Sequence, residues 1–425
     1  MKLKLLKLKV AVFLCYLCCS TTSMAQLSID ISGVGAQQFP VAVLPFSGDA
    51  AADEATQTLK NDLSNTGLFR ILAQNNKLSE TANPNAVELK RAGADTAVWG
   101  AVYRTADGKL DVRLRIMDTV RQTVLDSVTL TVRGSGKQAG HMAADRVYEK
   151  LTGHKGFFTS RIAYVTRLAR DSFELRVADW DGSNPQTALR SKEPIISPTW
   201  SPDGSRLAYV SFENSKANIM MHDLISGARS VVANYKGSNS APAFNPNGRG
   251  LAAALSRDGL AQIYSLTTDG AVATRLTQSA GIDTEPAYSP DGANIYFVSD
   301  RGGSPQIYRM AATGGEPKRV SFKGDYNISP SISPDGKAMA FISRREGKFM
   351  AMLMDLGNQE ETTLSDTQKD ESPSFSPNGK FVLYASEVKG RGVLILASSD
   401  GRIKNTLSAA QGDIREPAWS GVQTY

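Results

Sequence analysis

The chain has 425 residues, carries 48 Lys+Arg against 42 Asp+Glu, and contains only three cysteines. That length leaves room for two domains and a large core. The formal charge of +6 is no nucleic-acid signature, because four lysines crowd into the first nine residues and no basic run interleaved with aromatics follows.

Lys2, Lys4, Lys7 and Lys9 precede a short apolar stretch from Val10 to Cys19, and Ser23-Met24-Ala25 is a small-x-small cleavage pattern. This predicts a Sec-type signal peptide over residues 1–25, with Gln26 as the first mature residue. Removing its four lysines and no acids takes the charge from +6 to +2. Cys15, Cys18 and Cys19 all leave with it, so no disulfide or thiolate metal site is expected in the mature chain. No small residue precedes any of these cysteines, which argues against lipidation, and no later apolar run is long enough to span a bilayer. A soluble exported protein without direct membrane insertion is the expectation.

Residues 26–153 form an N-terminal α+β domain, opened by an arm over 26–38. Gln26-Leu27-Ser28-Ile29-Asp30-Ile31 alternates polar and apolar, as an extended segment does. Pro40 to Pro45 is a buried-strand run, and Ala55, Leu59 and Leu63 share one helix face ending near Gly67. Leu68 to Leu72 reads as another strand. Ala97 to Tyr103, Leu110 to Met117 and Val124 to Val132 form a three-strand meander, its first turn marked by Asp107-Gly108. Ala139, Met142, Ala143, Val147 and Leu151 line a closing helix before the Gly153–Gly156 linker.

From residue 154 a period takes over. Ser197-Pro198-Thr199-Trp200-Ser201-Pro202-Asp203-Gly204 recurs in five full copies and one truncated one, Glu416-Pro417-Ala418-Trp419-Ser420. The leading prolines stand at 198, 242, 286, 330, 373 and 417, in steps of 44, 44, 44, 43 and 44 residues. In Ser-Pro-Asp-Gly, proline presets φ, Asp or Asn suits the third turn position, and Gly closes the turn. A β-branched and aromatic run follows each turn, and two weaker strands complete each period. Four strands per period at this spacing indicate a β-propeller. Arg161–Thr166 matches Arg206–Ser211 in residue type, yet has no turn copy before it. Residues 416–420 are therefore expected to pair with the 161–166 blade, closing six blades so that no inner edge stays bare. The fold class is mainly β: a six-bladed β-propeller preceded by a small α+β domain.

Catalytic signals are sparse. His141, His154 and His222 are scattered, and neither a Gly-x-Ser-x-Gly elbow nor a phosphate loop occurs. Asp179-Trp180-Asp181-Gly182-Ser183 lacks the calcium-loop glycine and has Arg190 at the twelfth position, so it reads as a turn. Asp203, Asp291 and Asp335 give way to Asn247 and Asn378 in other copies, which suits turn formers and not catalysts. No enzyme activity, cofactor or metal is expected. The residues just before each leading proline vary in chemistry while the hairpins do not, and they are expected on loops rimming one mouth of the central channel.

An export signal, an α+β domain and blades carrying [Ser/Glu]-Pro-x-[aromatic]-Ser-Pro-[Asp/Asn]-Gly together resemble the TolB family, periplasmic components of the Tol–Pal system. Ser299 to Tyr308 is also similar to the family's sequence. The resemblance implies a non-enzymatic periplasmic adaptor whose mouth receives the lipoprotein Pal and whose arm binds TolA, supporting outer-membrane integrity and invagination at division. It also admits other outer-membrane proteins as partners and implies a monomer. By position it assigns Ala241, Thr284, Glu285, Glu371 and Glu416 to the Pal-binding mouth, with Ser238 standing where the family carries a histidine. It assigns Gln26, Leu27, Ile29 and Ile31 to the TolA-binding arm. The rival readings are an exported peptidase with a gating propeller, or a glycan-binding protein. The first lacks a nucleophile motif. For the second, Trp200 and Trp419 fall in the blade-core slot that Phe244, Tyr288 and Phe375 fill elsewhere.

Overall fold

The computed structural model describes residues 27–32, 38–409 and 412–422, with the side chains of 27–32, 408 and 409 left aside. The expected signal segment, and Gln26 with it, lies outside these residues.

The N-terminal sheet runs in the order Phe69–Ala73, Phe39–Val43, Thr96–Arg104, Leu110–Asp118, Thr123–Val132. The first three strands are parallel and the rest form the antiparallel meander. Helices α1 (Ala51–Asn65), α2 (Ala86–Arg91) and α3 (Gly136–Thr152) pack on it. In α1, Ala52, Ala55, Leu59 and Leu63 are buried, the amphipathic stripe expected of a helix laid on a sheet. At Gly140 of α3, any Cβ would meet Ala55 O at 2.6 Å and Thr58 Cβ at 2.5 Å, so only glycine permits this close crossing of α1 and α3.

The six blades are antiparallel four-stranded sheets. Their inner strands are Asp413–Val422, Ile195–Trp200, Asn239–Phe244, Asp283–Tyr288, Tyr326–Ile332 and Glu371–Phe375, in blades 1 to 6. The turn chemistry is explicit in each hairpin: Gly204 N donates to Ser201 O at 2.8 Å, and Ser201 Oγ donates to Asp203 Oδ1. The glycine sits at φ +68 to +72 in all five copies. Blade 1 is closed by the chain's last described strand, with Arg415 opposite Val165, Ala418 opposite Ala163 and Trp419 opposite Ile162.

Blade 6 has a fifth strand. The arm Leu27–Ser32 pairs antiparallel with the outer strand Lys404–Ala409, from Leu27↔Ala409 to Ser32↔Lys404. The sequence pattern predicts an extended arm; its main chain is in fact laid along the propeller's own edge.

The two domains share one apolar core. Phe157 and Phe158, just after the linker, are fully buried and sit within 5.7 Å, centroid to centroid, of Tyr148, Trp180, Phe381 and Trp419 in various pairs. Burying one such ring contributes about 2–3 kcal/mol. A polar cluster flanks it. His141 Nδ1 of α3 lies 2.7 Å from Asp62 Oδ2 of α1, and Asp62 Oδ1 accepts the Trp180 indole N–H at 2.9 Å. Asp179 of blade 1 lies 3.7 Å from His141 Nε2 and is paired to Lys137 at 2.7 Å.

Candidate functional site

The propeller's two ends differ. The Pro-Asn-Gly turn of blade 6 faces the linker from the N-terminal domain, where Asn378 donates its amide to Lys155 O at 2.8 Å. The inner strands therefore begin at the opposite end, and there a cavity of about 620 Å³ opens, lined by all six blades.

The residue before each leading proline shapes this mouth. Ser197, Ala241, Glu285, Ser329, Ser372 and Glu416 all have φ between +49 and +55. Each lies inside an inner strand, not in a loop as expected, and each coincides with a break in the register to the second strand, as between Thr284 and Ala287. The left-handed backbone costs about 1 kcal/mol per residue when it carries a side chain. Proline at the next position disfavours the right-handed helical alternative, and a bulge re-aims the side chain. Sixfold repetition of a strained bulge makes a rigid collar.

Two glutamates stitch that collar. Glu285 Oε2 accepts the main-chain N–H of Ser329 at 2.6 Å and the Ser329 hydroxyl at 3.0 Å. Glu416 Oε2 accepts Ser197 N–H at 2.9 Å, across the equivalent seam between blades 1 and 2. Glu371 reaches Arg415 at 3.6 Å, and its buried Oε1 has no partner among the described residues. Burial pushes the carboxyls of Glu285 and Glu371 up from the ordinary carboxylate value. Glu416 is pushed up to about 7, by burial first and then by the charge of Glu371.

Ala241, Glu285, Glu371 and Glu416 thus line one cavity, together with five serines, among them the collar's Ser197, Ser329 and Ser372. Ser238 does not: it is exposed on the loop before the blade 3 inner strand, its N–H bonded to Ser256 Oγ at 2.7 Å. Thr284 precedes Glu285 but is outside the lining. Leu27, Ile29 and Ile31 are far along the chain's other feature, the fifth strand of blade 6.

A second ring was missed by sequence reasoning. Asn239, Asp283, Asn327 and Asp370 stand two residues before the strained position and are buried. Each ties down the loop that enters its inner strand. Asn239 accepts Tyr235 N–H at 2.9 Å and Asp283 accepts the Ser279 hydroxyl at 3.2 Å; Asp283 also holds Arg301, beyond the second strand, through both carboxylate oxygens at 2.9 and 2.8 Å. Their signal was available, since they recur in step with the prolines.

Comparison with known proteins matches this architecture on both domains. The model described as the TolB beta propeller domain matches residues 148–423, and the TolB amino-terminal domain matches residues 27–125. The Tol-Pal system protein TolB of Dechloromonas aromatica is 54% identical over 222 residues, 52% of this chain and 52% of that protein. The Bordetella pertussis protein of the same name is 49% identical over 222 residues, 52% of this chain and 50% of its own length. The chain spans about half the length of the curated relatives it matches. The crystal structure of TolB from Acinetobacter baumannii superposes with a TM-score of 0.84 at 39% identity, covering 93% of this chain and 100% of that one. Repeat, collar and preceding α+β domain occur together over most of the chain, and the chain belongs to the TolB family of the Tol–Pal system.

Proposed function

We propose that this protein is a periplasmic adaptor of the Tol–Pal system that catalyses no reaction. Its propeller mouth receives the lipoprotein Pal, its N-terminal arm engages TolA, and the pair of contacts supports outer-membrane integrity and invagination at division. The observation that carries this reading is the collar: six strained, proline-locked positions hold a cavity of about 620 Å³ in one shape before any partner arrives. Preorganisation of that kind reduces the ordering cost of binding. The mouth's carboxylates bond to neighbouring main chain and serine hydroxyls, as befits a frame.

For TolA, the arm's main chain is already paired to residues 404–409. A partner that takes the arm as an added strand exchanges one antiparallel ladder for another.

Calorimetric titration of the mature chain with the soluble domain of Pal from the same organism tests the mouth. Saturable one-to-one binding that weakens at least tenfold in Ala241→Arg, with unchanged melting, is expected. Absence of binding by correctly folded protein overturns the reading. Deletion of residues 26–38 should abolish TolA association, and retained association would sink the arm assignment.

A further inference from the structure

A second cavity, of about 680 Å³, opens at the propeller's other end, where α3 meets the seam between blades 1 and 2. Its volume is in the range of ligand sites. Gln138 of α3, Asn184 and Gln186 of blade 1, and His222 and Ile225 of blade 2 are in its wall. None of these takes part in the mouth.

His222 is only 4% exposed, and its Nδ1 has no hydrogen-bond partner among the described residues. Burial, then the Arg229 guanidinium, holds its imidazole below the ordinary value, so the ring is neutral near pH 7. A buried ring nitrogen left without a partner costs on the order of 1–3 kcal/mol, and a bound donor or acceptor would recover it. The carboxamides of the wall are less buried, Asn184 and Gln186 being exposed and Gln138 half-buried, and keep unused polar groups. Gln186 Nε2 donates to Asn184 Oδ1 at 3.2 Å, which leaves the Asn184 NH₂ and the Gln186 carbonyl oxygen facing outward from the pair. Gln138 uses its oxygen on Ser135 N–H at 2.7 Å and keeps its NH₂.

The wall sets the ligand's charge. Its acid, Asp179, is answered by Lys137 at 2.7 Å and by His141, and its guanidinium, Arg161, donates to Gly204 O at 2.6 Å and lies 5.0 Å over the Trp200 ring, so both charged groups of this wall are engaged by the protein itself. At the lip, Ile225 is 87% exposed and Leu224 lies beside it. Among the described residues no aromatic ring other than the His222 imidazole lines the cavity, so the wall they form lacks the stacking platform that saccharide sites commonly use.

The adjoining sheet edge gives the ligand its shape. Gln186–Ser191 is the outer strand of blade 1, and among the described residues no strand pairs with its outer side. The outer strands of blades 3, 4 and 5 are only three, two and three residues long. Among the described residues the one other outer strand of six residues, 404–409, carries an extended segment, the chain's own arm.

We propose that this cleft binds an extended, uncharged stretch of polypeptide, its main chain bonded to the carboxamides, to His222 and to the edge at Gln186, and an apolar side chain set on Leu224 and Ile225. The bound segment would touch α3 and both blades, and so bridge the two domains.

The test pans a library of random dodecapeptides against the full mature chain and follows enriched peptides by calorimetry and by the Ile225 methyl signal in NMR. Enrichment of uncharged sequences, a shifted Ile225 methyl, and at least tenfold weaker binding in Ile225→Asp and in Gln186→Arg are expected, with Ala241→Arg at the mouth without effect. Both cleft positions are exposed, so folding is undisturbed. No enrichment, enrichment of charged sequences, or binding indifferent to Ile225→Asp overturns the proposal. An Ile225 shift with chitohexaose and none with peptide would overturn it in favour of a saccharide.

Discussion

The Glu285 carboxylate crosses the seam between blades 4 and 5 to accept the main-chain N–H of Ser329 at 2.6 Å. The same side chain lines the mouth, so one residue both frames the cavity and shapes its surface. Removing the carboxylate strands a half-buried N–H, which costs at most about 1–3 kcal/mol. Glu285→Ala should therefore lower the urea midpoint measurably, whereas Glu285→Gln keeps an acceptor and should stay near the wild type. If the alanine variant unfolds at the wild-type midpoint, the bond contributes nothing to the frame.

Glu416 makes the equivalent bond to Ser197, and there the pH dependence is the informative quantity. Its carboxyl is pushed up to about 7, so the folded state holds a proton that the unfolded chain, near the ordinary carboxylate value, has already released. Between that ordinary value and about 7, stability falls as pH rises, and above 7 the full penalty stands. A shift of this size corresponds to at most about 3 kcal/mol. Glu416→Gln removes the charge and keeps an acceptor. It should raise the melting temperature at pH 8 and change it little near pH 4. An equal effect at both pH values would show that the carboxyl is not raised.

In the interdomain cluster stability likewise falls as pH rises, but there the raised group stabilises the fold instead of penalising it. Burial alone would lower the His141 value, but the charge of Asp62 and bonds to Asp179 and Asp62 push it up to about 10. A raised histidine contributes stability that is fully present below its ordinary value and is lost as pH rises through about 10. His141→Leu leaves Asp62 buried without its cation, a loss of about 3 kcal/mol or more. Because Trp180 donates to Asp62 and is itself buried, its fluorescence should shift to the red, and the 153–156 linker should be cut faster by protease. Unchanged emission and cleavage would mean that the apolar cluster around Phe157 docks the domains unaided.

What could be seen in the sequence follows from what repeats. The Ser-Pro-Asp-Gly turn recurs because one local geometry is needed at each inner hairpin, and α1 and α3 show because their buried residues recur at helical spacing. Helix α2 was not legible: six residues are too short for a period to declare itself. The glutamates at the mouth could be placed by register. Their left-handed backbone could not, since a residue before proline is expected to be extended. Alternation along 27–32 signals a strand but says nothing about its partner, so the docking on 404–409 was invisible. The contact between Asp62 and His141 joins residues 79 apart, and nothing in a lone aspartate or histidine announces it.

The arm offers the last prediction. Residues 27–32 cover the whole outer strand of blade 6, which on its inner side is paired to Arg391–Ser398. The same strand anchors the N-terminal domain, since the Asn405 side chain donates to Asn65 O. Deleting residues 26–32 uncovers a six-residue edge, and long bare edges recruit other chains. Backbone amides of 404–409 should then exchange with solvent faster, while those of 391–398, still paired on both sides, should keep their protection. Sedimentation should show association rising with concentration, because the uncovered edge of one copy can pair with that of another. The melting temperature should change little, because the blade retains its four own strands. Unchanged exchange over 404–409 would mean that the arm is rarely paired there in solution, and a collapse of exchange protection throughout blade 6 would mean that the fifth strand is part of the blade's fold and not a cover for its edge.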